Sequence, residues 1–227
     1  MLKVTFYGHS CFLLEDGSKR IIIDPFLTGN PVCPVKAADV RVDYVLVTHG
    51  HADHLGDAVD LSKRCKAPVV ACYEVAGFCG KKGATFHPLH IGGGRDFDFG
   101  RAKLTPAWHG SGIDDGGQLV YGGTPGGFVV WMGGKTVYHA GDTGLFGDME
   151  LIGRLHKPDL ALLPIGDNFT MGPDDAVEAV RLIKPKRVVP MHYNTFDLIR
   201  QDGASFKKRL DRLAECTLLE PGESLEL

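Results

Sequence analysis

Hydrophobic residues recur along this chain in two spacings, one typical of strands and the other typical of helices. Alternating or nearly continuous apolar runs predict strands over Lys3–Tyr7, Cys11–Glu15, Arg20–Ile23, Asp43–Thr48, Pro68–Cys72, Thr85–Leu89, Arg95–Phe99 and Leu104–Trp108. The run Asp43–Thr48 is typical of a strand that is buried on both faces. Helical spacing predicts helices over 55–66 and 74–82.

The second half of the chain repeats this order of strands followed by helices. Strands are predicted over Gly127–Met132, Lys135–Ala140, Leu160–Pro164, Arg187–Pro190 and Thr217–Glu220, and helices over 146–156, 173–183 and 204–213. We therefore expect an α/β fold of one domain, 1–227, with two similar halves of about 1–110 and 111–227. Two sheets would pack face to face with helices outside, and the glycine-rich stretches 92–94, 110–117 and 122–127 would be surface loops.

Composition excludes several classes of partner. The 227 residues carry a net charge of -3 without a run of Lys or Arg, so no nucleic-acid partner is expected. The N-terminal residues lack the pattern of a signal peptide, and no apolar stretch is long enough to span a membrane. The six cysteines are scattered and form no CxxC pair, which predicts reduced thiols and a cytoplasmic protein.

Four side chains able to bind a metal lie within six residues, where the buried strand 43–48 ends. They are His49, His51, Asp53 and His54. Imidazole and carboxylate ligands without a thiol are typical of catalytic sites for zinc, manganese or iron rather than of structural zinc sites. A polar turn that caps the next helix would be the simpler interpretation, but a cap needs one such residue and not four.

This HxHxDH pattern resembles the metallo-β-lactamase superfamily, whose fold is a four-layer αββα sandwich. The resemblance extends over the whole chain, because His109 in PAWHG, Asp142 in YHAGDTG and His192 in VVPMHYN follow in the order of the superfamily's remaining ligands. It implies two divalent ions, zinc first, with manganese or iron as alternatives. One ion would be held by His49, His51 and His109 and the other by Asp53, His54 and His192, with Asp142 between them.

The resemblance also implies a hydrolase in which a hydroxide bridging the two ions attacks a carbonyl or phosphoryl centre. Asp53 would orient this hydroxide and pass its proton to the leaving group. The segments Gly8–Phe12, Phe169–Pro173 and Pro190–Asn194 look like the branch that contains L-ascorbate-6-phosphate lactonase. That branch favours a small metabolite, phosphorylated or lactone-like, as the substrate.

Four residues are candidates for contacts with the substrate. His9 lies near the metals in the similar branch, and Asn168, Thr170 and Asn194 lie on predicted loops beside the ligand-bearing strands. Each also has a structural interpretation, as a strand-end or loop residue bonded to backbone. The remaining histidines are predicted to be structural: His87, His90, His139 and His156.

Two other functions remain open from the sequence. Some superfamily members use the first three ligands to hold a single iron and oxidise a thiol or persulfide. The other possible function is that of a metal-binding regulatory protein that catalyses no reaction. Such a protein would be expected to lack one of the ligands, and all of them are present here. An apolar face on the predicted helix 204–213 would allow a homo-oligomer.

Overall fold

The computed structural model describes residues 1–227. Its strands, in chain order, are β1 (Lys3–Phe6), β2 (Phe12–Glu15), β3 (Arg20–Ile23), β4 (Tyr44–Leu46), β5 (Val69–Cys72), β6 (Phe86–Leu89), β7 (Gly94–Phe97), β8 (Gly100–Pro106), β9 (Gly112–Asp115), β10 (Gln118–Tyr121), β11 (Gly126–Met132), β12 (Lys135–His139), β13 (Leu160–Pro164), β14 (Arg187–Met191), β15 (Glu215–Cys216) and β16 (Ser224–Glu226). Its α-helices are α1 (Ala52–Leu55), α2 (Ala58–Cys65), α3 (Tyr73–Lys81), α4 (Met149–His156), α5 (Pro173–Ile183) and α6 (Gly203–Arg209). The longest helix, α5, has 11 residues, and none of the helices combines the length and the hydropathy that a membrane span requires.

The strands form two sheets of seven strands and one separate hairpin. The first sheet has the order β16-β1-β2-β3-β4-β5-β6, and the second has the order β15-β14-β13-β12-β11-β8-β7. Strands β3 to β6 pair in parallel, as do β12 to β15. The inner strands β3, β4, β5, β13 and β14 are buried on both faces, which is why their sequences are almost continuously apolar.

Alternate residues of the second sheet belong to two different cores, because successive side chains of a strand point to opposite faces. In β11, Phe128 and Val130 pack in a cluster of 42 buried residues that also holds the apolar side chains of the first sheet. Their neighbour Val129 packs in a second cluster of 19 buried residues, together with side chains of α4, α5 and α6. The two sheets therefore face each other across the larger core.

Helices cover the outer face of each sheet. Leu61 of α2 and Val75 of α3 pack on the first sheet, while Ile152 of α4, Val180 of α5 and Phe206 of α6 pack on the second. The predicted four-layer αββα sandwich is confirmed. The single domain over 1–227, with similar halves that meet at about residue 110, stays a prediction.

Three predicted elements were wrong in detail. The helix expected over 55–66 is interrupted at Gly56, where φ is +39° and a Cβ atom would lie 2.4 Å from the carbonyl oxygen of Pro25. The glycine-rich stretch 110–117 is not a plain loop, since β9 pairs with β10 with Ile113 opposite Val120. The last strand is not Thr217–Glu220: after β15 the chain crosses to the first sheet, where β16 pairs with β1.

Candidate metal centre

One edge of the sandwich collects every predicted ligand. Each follows the carboxyl end of a strand: His49 and His51 come after β4, Asp53 and His54 lie in α1 beyond it, and His109, Asp142 and His192 come after β8, β12 and β14. In the second sheet β8, β12 and β14 run in the same direction, because β11 is antiparallel to both β8 and β12. The topology therefore brings together residues that are up to 143 positions apart in the sequence, from His49 to His192.

Three imidazole rings form the first ligand group. Nδ1 of His51 lies 2.9 Å from Nε2 of His49 and 3.2 Å from Nε2 of His109. Burial lowers the pKa of all three rings. Neutral rings keep a lone pair on the nitrogens that face one another, and a lone pair is what a metal ion requires of an imidazole.

The carboxylate of Asp142 joins this group to the second one. Its Oδ2 atom lies 2.9 Å from Nε2 of His192 and 3.6 Å from Nε2 of His109, while its Oδ1 atom lies 3.2 Å from Nε2 of His54. Oδ2 of Asp53 lies 4.0 Å from Nε2 of both His54 and His192. Asp142 is thus the one carboxylate in contact with both groups.

Charges in the second group balance one another. Burial alone would raise the pKa of Asp142, but His54 and His192 hold it well below its usual value. Burial alone would lower the pKa of His54, but the carboxylates of Asp142 and Asp24 outweigh that effect and raise it well above its usual value. A divalent ion bound beside these carboxylates would supply positive charge in place of a proton on His54, because a ligating imidazole has to be neutral.

The donor atoms fit divalent ions. Atoms of one group lie within 4.8 Å of one another, and donors about 2 Å from a common ion lie about 3.3 Å apart in tetrahedral geometry. Nε2 of His54 and Oδ1 of Asp142 are buried and have no hydrogen-bond partner although they are neighbours. Buried polar atoms without partners are rare in folded proteins, and ligation would satisfy both.

Asp24, directly after β3, is a functional residue that the sequence analysis missed. Its Oδ2 atom accepts hydrogen bonds from Nδ1 of His54 at 2.7 Å and from the hydroxyl of Thr48 at 2.7 Å, and its Oδ1 atom accepts from the backbone N–H of Thr48. The same hydroxyl lies 3.0 Å from Nδ1 of His49. One carboxylate therefore fixes the ring of a ligand in each group and leaves both Nε2 atoms free for metal.

Comparisons with known proteins agree with this geometry. Residues 19–193 match the family model described as the beta-lactamase superfamily domain. The chain is 60% identical over 229 residues to a UPF0173 metal-dependent hydrolase of Pelotomaculum thermopropionicum, with 100% of both chains covered. The chain belongs to the UPF0173 family of metal-dependent hydrolases. A second UPF0173 relative, from Heliobacterium modesticaldum, is 56% identical over 236 residues and covers 100% of this chain and 98% of its own.

A solved structure shares the fold of this UPF0173 chain along its whole length. Igni18, a metallo hydrolase from the archaeon Ignicoccus hospitalis, superposes with a TM-score of 0.90 at 38% identity and covers 100% of this chain and 99% of its own. The resemblance to the metallo-β-lactamase superfamily is confirmed. The narrower placement beside L-ascorbate-6-phosphate lactonase stays a prediction.

His9 is the one predicted substrate contact of this UPF0173 chain that lies inside the ligand cluster. Its ring is buried, with Nε2 3.0 Å from Oδ2 of Asp53 and Nδ1 3.0 Å from the hydroxyl of Thr195. Burial lowers the pKa of His9 to about 4, so the ring is neutral. The backbone carbonyl of His9 accepts a hydrogen bond from the N–H of His192, and both residues have positive φ, 60° and 54°. Non-glycine residues in this strained region concentrate at functional sites.

The other three predicted contacts lie outside the cluster. Asn194 is exposed, and its Oδ1 atom accepts a hydrogen bond from the backbone N–H of Gln201, which closes the loop after β14. Asn168 is exposed on the loop after β13, and the hydroxyl of Thr170 donates to the backbone carbonyl of Met171. Their role in substrate binding stays a prediction.

His139 supports the loop that carries Asp142. Its ring is buried between the sheets, with Nε2 2.9 Å from the carbonyl oxygen of Ser10 and Nδ1 accepting from the N–H of Gly141. These two bonds require a neutral ring, and burial lowers its pKa accordingly. No metal ligand group includes His139, in line with its predicted structural role.

Proposed function

We propose that this chain hydrolyses a small-molecule substrate at a carbonyl or phosphoryl centre with two divalent metal ions. The observation that carries the proposal is the contact of Asp142 with both ligand groups, which makes the two groups neighbours that share one carboxylate. His49, His51 and His109 would hold one ion, and Asp53, His54 and His192 the other. Zinc suits this imidazole and carboxylate set best, and manganese or iron also fit.

Two neighbouring dications, when bound, supply a water molecule of lowered pKa and polarise the oxygen of the group under attack. Asp53 is suited to handle the proton. Its side chain is 32% exposed, in contrast to the buried Asp142, so it is the ligand carboxylate that solvent and substrate can reach. Burial opposes its ionisation, but the hydrogen bond with His9 and the charge of His54 lower its pKa, so Asp53 is an ionised carboxylate and a weak base. Its exposed position beside the ligands, and not its basicity, suits it to orient the attacking water and to pass on its proton.

His9 and Thr195 hold Asp53 in place. The ring of His9 can donate only one hydrogen bond when neutral, and Oδ2 of Asp53 can only accept. We therefore assign the ring proton to Nε2, with Nδ1 accepting from the hydroxyl of Thr195. This arrangement fixes one oxygen of Asp53 without adding a charge to the site.

The proposed function is tested by removing and restoring metal. Protein stripped with a chelator should hydrolyse none of a panel of a phosphodiester, a lactone, a thioester and a carboxylic ester. Zinc or manganese at two equivalents should restore hydrolysis of at least one class. Failure on the whole panel, with oxygen consumption after loading one equivalent of ferrous iron, would favour the mononuclear thiol or persulfide oxygenase instead.

The cytoplasmic location, the homo-oligomer and the lack of a nucleic-acid partner stay predictions.

A further inference from the structure

Basic residues are absent from every segment that builds the candidate metal centre. The chain has 25 Lys and Arg residues, but none of them falls in the segments 4–18, 21–35, 42–62, 104–134, 136–153, 158–180 or 188–199. These segments carry all seven predicted metal ligands and all four predicted substrate contacts. Phosphate and carboxylate groups of substrates are usually bound by Arg or Lys, or by helix N-termini. These segments therefore offer no Lys or Arg side chain to bind a second anionic group.

The basic residues nearest these segments form an ion pair or line a separate groove. Arg200 follows the loop after β14, but its side chain is 75% exposed and forms an ion pair with Asp197 at 2.7 Å. Arg154, Lys157 and Lys184 line a groove of about 430 Å³ between α4 and α5. That groove lies at the opposite edge of the second sheet, because Lys184 precedes β14 whereas His192 follows it.

Two aromatic rings lie beside the second ligand group. The rings of Phe26 and Phe196 pack on the buried ring of His9, with centroid distances of 5.7 and 5.5 Å, and lie 6.5 Å from each other. The ring of His9 is in turn 4.0 Å from that of His192. Phe196 is 41% exposed, so it presents an apolar surface to solvent directly beside the second ligand group.

A second apolar surface borders the first ligand group. Trp108 immediately precedes His109, and its side chain is 71% exposed. Its backbone is fixed beside Asp142, since its N–H donates to the hydroxyl of Thr143 and its carbonyl accepts from the N–H of Gly144. An exposed tryptophan on a tethered backbone is a ready binding surface for an apolar group.

We propose that the substrate is an uncharged carboxylic ester, lactone or thioester whose apolar group packs on Trp108 and Phe196. This inference rests on the hydrolase function proposed above and names its substrate class. It departs from the phosphorylated metabolite that the family resemblance suggests, because the site offers apolar surface where such a metabolite would need a cation. Hydrolysis adds water across the acyl bond and yields a carboxylic acid and an alcohol or thiol, so no other reactant is required.

Two matched series of esters test the proposal on the metal-loaded protein. The neutral series is p-nitrophenyl acetate, butyrate and hexanoate, and the anionic series is the mono-p-nitrophenyl esters of succinate and adipate. We expect kcat/KM to rise by up to about fourfold for each added methylene in the neutral series, the value for full burial of such a group. Hexanoate should exceed the adipate ester, which has the same chain length, by at least about tenfold.

Variants locate the effect. Trp108→Ala and Phe196→Ala should each flatten the dependence on chain length, while Leu155→Ala, which removes a side chain of 64% exposure on α4, should leave it unchanged. Binding can also be measured without turnover from the fluorescence of Trp108. In a Trp131→Phe background, where Trp108 is the single tryptophan, hexanohydroxamate should quench this fluorescence more than acetohydroxamate does. Sedimentation velocity of the same variants shows whether a second copy of the chain covers these side chains.

The outcomes separate the two proposals. Equal or better hydrolysis of the anionic esters, or a chain-length dependence that survives both substitutions, would overturn the apolar substrate class while leaving the hydrolase intact. Loss of a dimer in both variants with unchanged ester selectivity would assign the surface to self-association and would overturn it as well. Hydrolysis of phosphodiesters but of no carboxylic ester, lactone or thioester would also overturn the apolar substrate class. No hydrolysis of any kind with metal bound would overturn the proposed function itself.

Discussion

Replacing Asp142 with Ala is expected to lower kcat/KM by about a thousandfold for any substrate that the protein hydrolyses. Asp142 is the only carboxylate in contact with both ligand groups, through His54, His109 and His192. Its loss would remove one ligand from each ion and the connection that keeps the ions adjacent. Metal ions contribute several kcal/mol to the stabilisation of a transition state, and about 4 kcal/mol corresponds to a thousandfold change in rate.

The measurement is the rate of hydrolysis together with the metal content of the same sample. Asp148→Ala is the matched control, since Asp148 lies six residues further on, is exposed and makes no side-chain cap to α4. The control should keep both activity and metal. Full hydrolysis by the Asp142→Ala protein would rule out a shared carboxylate as the basis of the activity.

Replacing Asp24 with Asn should weaken metal binding by about 10- to 100-fold, the usual cost of losing an outer-shell partner of a metal ligand. The amide keeps the size of the side chain, but only its oxygen can accept, and its NH₂ group would face donors. His54 and Thr48 would then compete for one acceptor. Because the carboxylate also pairs with buried His54, the metal-free protein should lose about 3 kcal/mol of its free energy of unfolding.

Two substitutions of Thr48 separate the two arms of this network. Thr48→Val removes the hydroxyl between Asp24 and His49 but leaves the pair Asp24–His54, so it should weaken metal binding less than Asp24→Asn does. Thr48→Ser keeps the hydroxyl and should bind metal like the parent protein. Competition with a chelator gives the affinities, and urea unfolding gives the stabilities. Unchanged affinity in Asp24→Asn would mean that the ligand rings are held by packing alone.

The ligand motif was predictable because its spacing is local. His49, His51, Asp53 and His54 follow a buried strand within six residues, and no property of the rest of the fold is needed to recognise them. His109 has no such local pattern and could be assigned only through the order of ligands in a known superfamily. The structure brings these residues to one edge, as that order requires.

Asp24 was missed because its role depends on contacts between distant strands. Its position beside Thr48 follows from the parallel register of β3 and β4, where Ile23 lies opposite Leu46, and no pattern around Asp24 shows this register. The acidic residue directly after the apolar run 21–23 was the available sign. An acidic residue directly after a parallel strand is therefore a candidate hydrogen-bond partner for metal ligands that follow the neighbouring strand.

The end of the chain was misjudged for a similar reason. Residues 217–220 are apolar enough for a strand, but the partner of the last strand is β1, more than 200 residues away. Pairing over that distance is decided by the assembled sheet and not by local sequence. The turn at Gly222, where φ is +98°, directs the chain back to the first sheet.

The distribution of basic residues and the exposed aromatic rings limit the possible substrates more than the predicted metal ligands do. The seven predicted ligands indicate only that metal is bound, and a metal site of this kind is compatible with many substrates. The absence of Lys and Arg from the segments around them, and the exposed rings of Trp108 and Phe196, concern the substrate itself. The same distribution leaves the basic groove between α4 and α5 at the far edge of the sheet, away from the proposed chemistry.

The proposed hydrolase holds two ions in two adjacent ligand groups. The test is the metal content per chain, measured by inductively coupled plasma mass spectrometry on the parent protein and on His51→Ala and His192→Ala. We predict two ions per chain in the parent and about one in each variant, since each substitution removes a ligand from a different group. One ion per chain in the parent protein, or the same content in all three proteins, would contradict the claim.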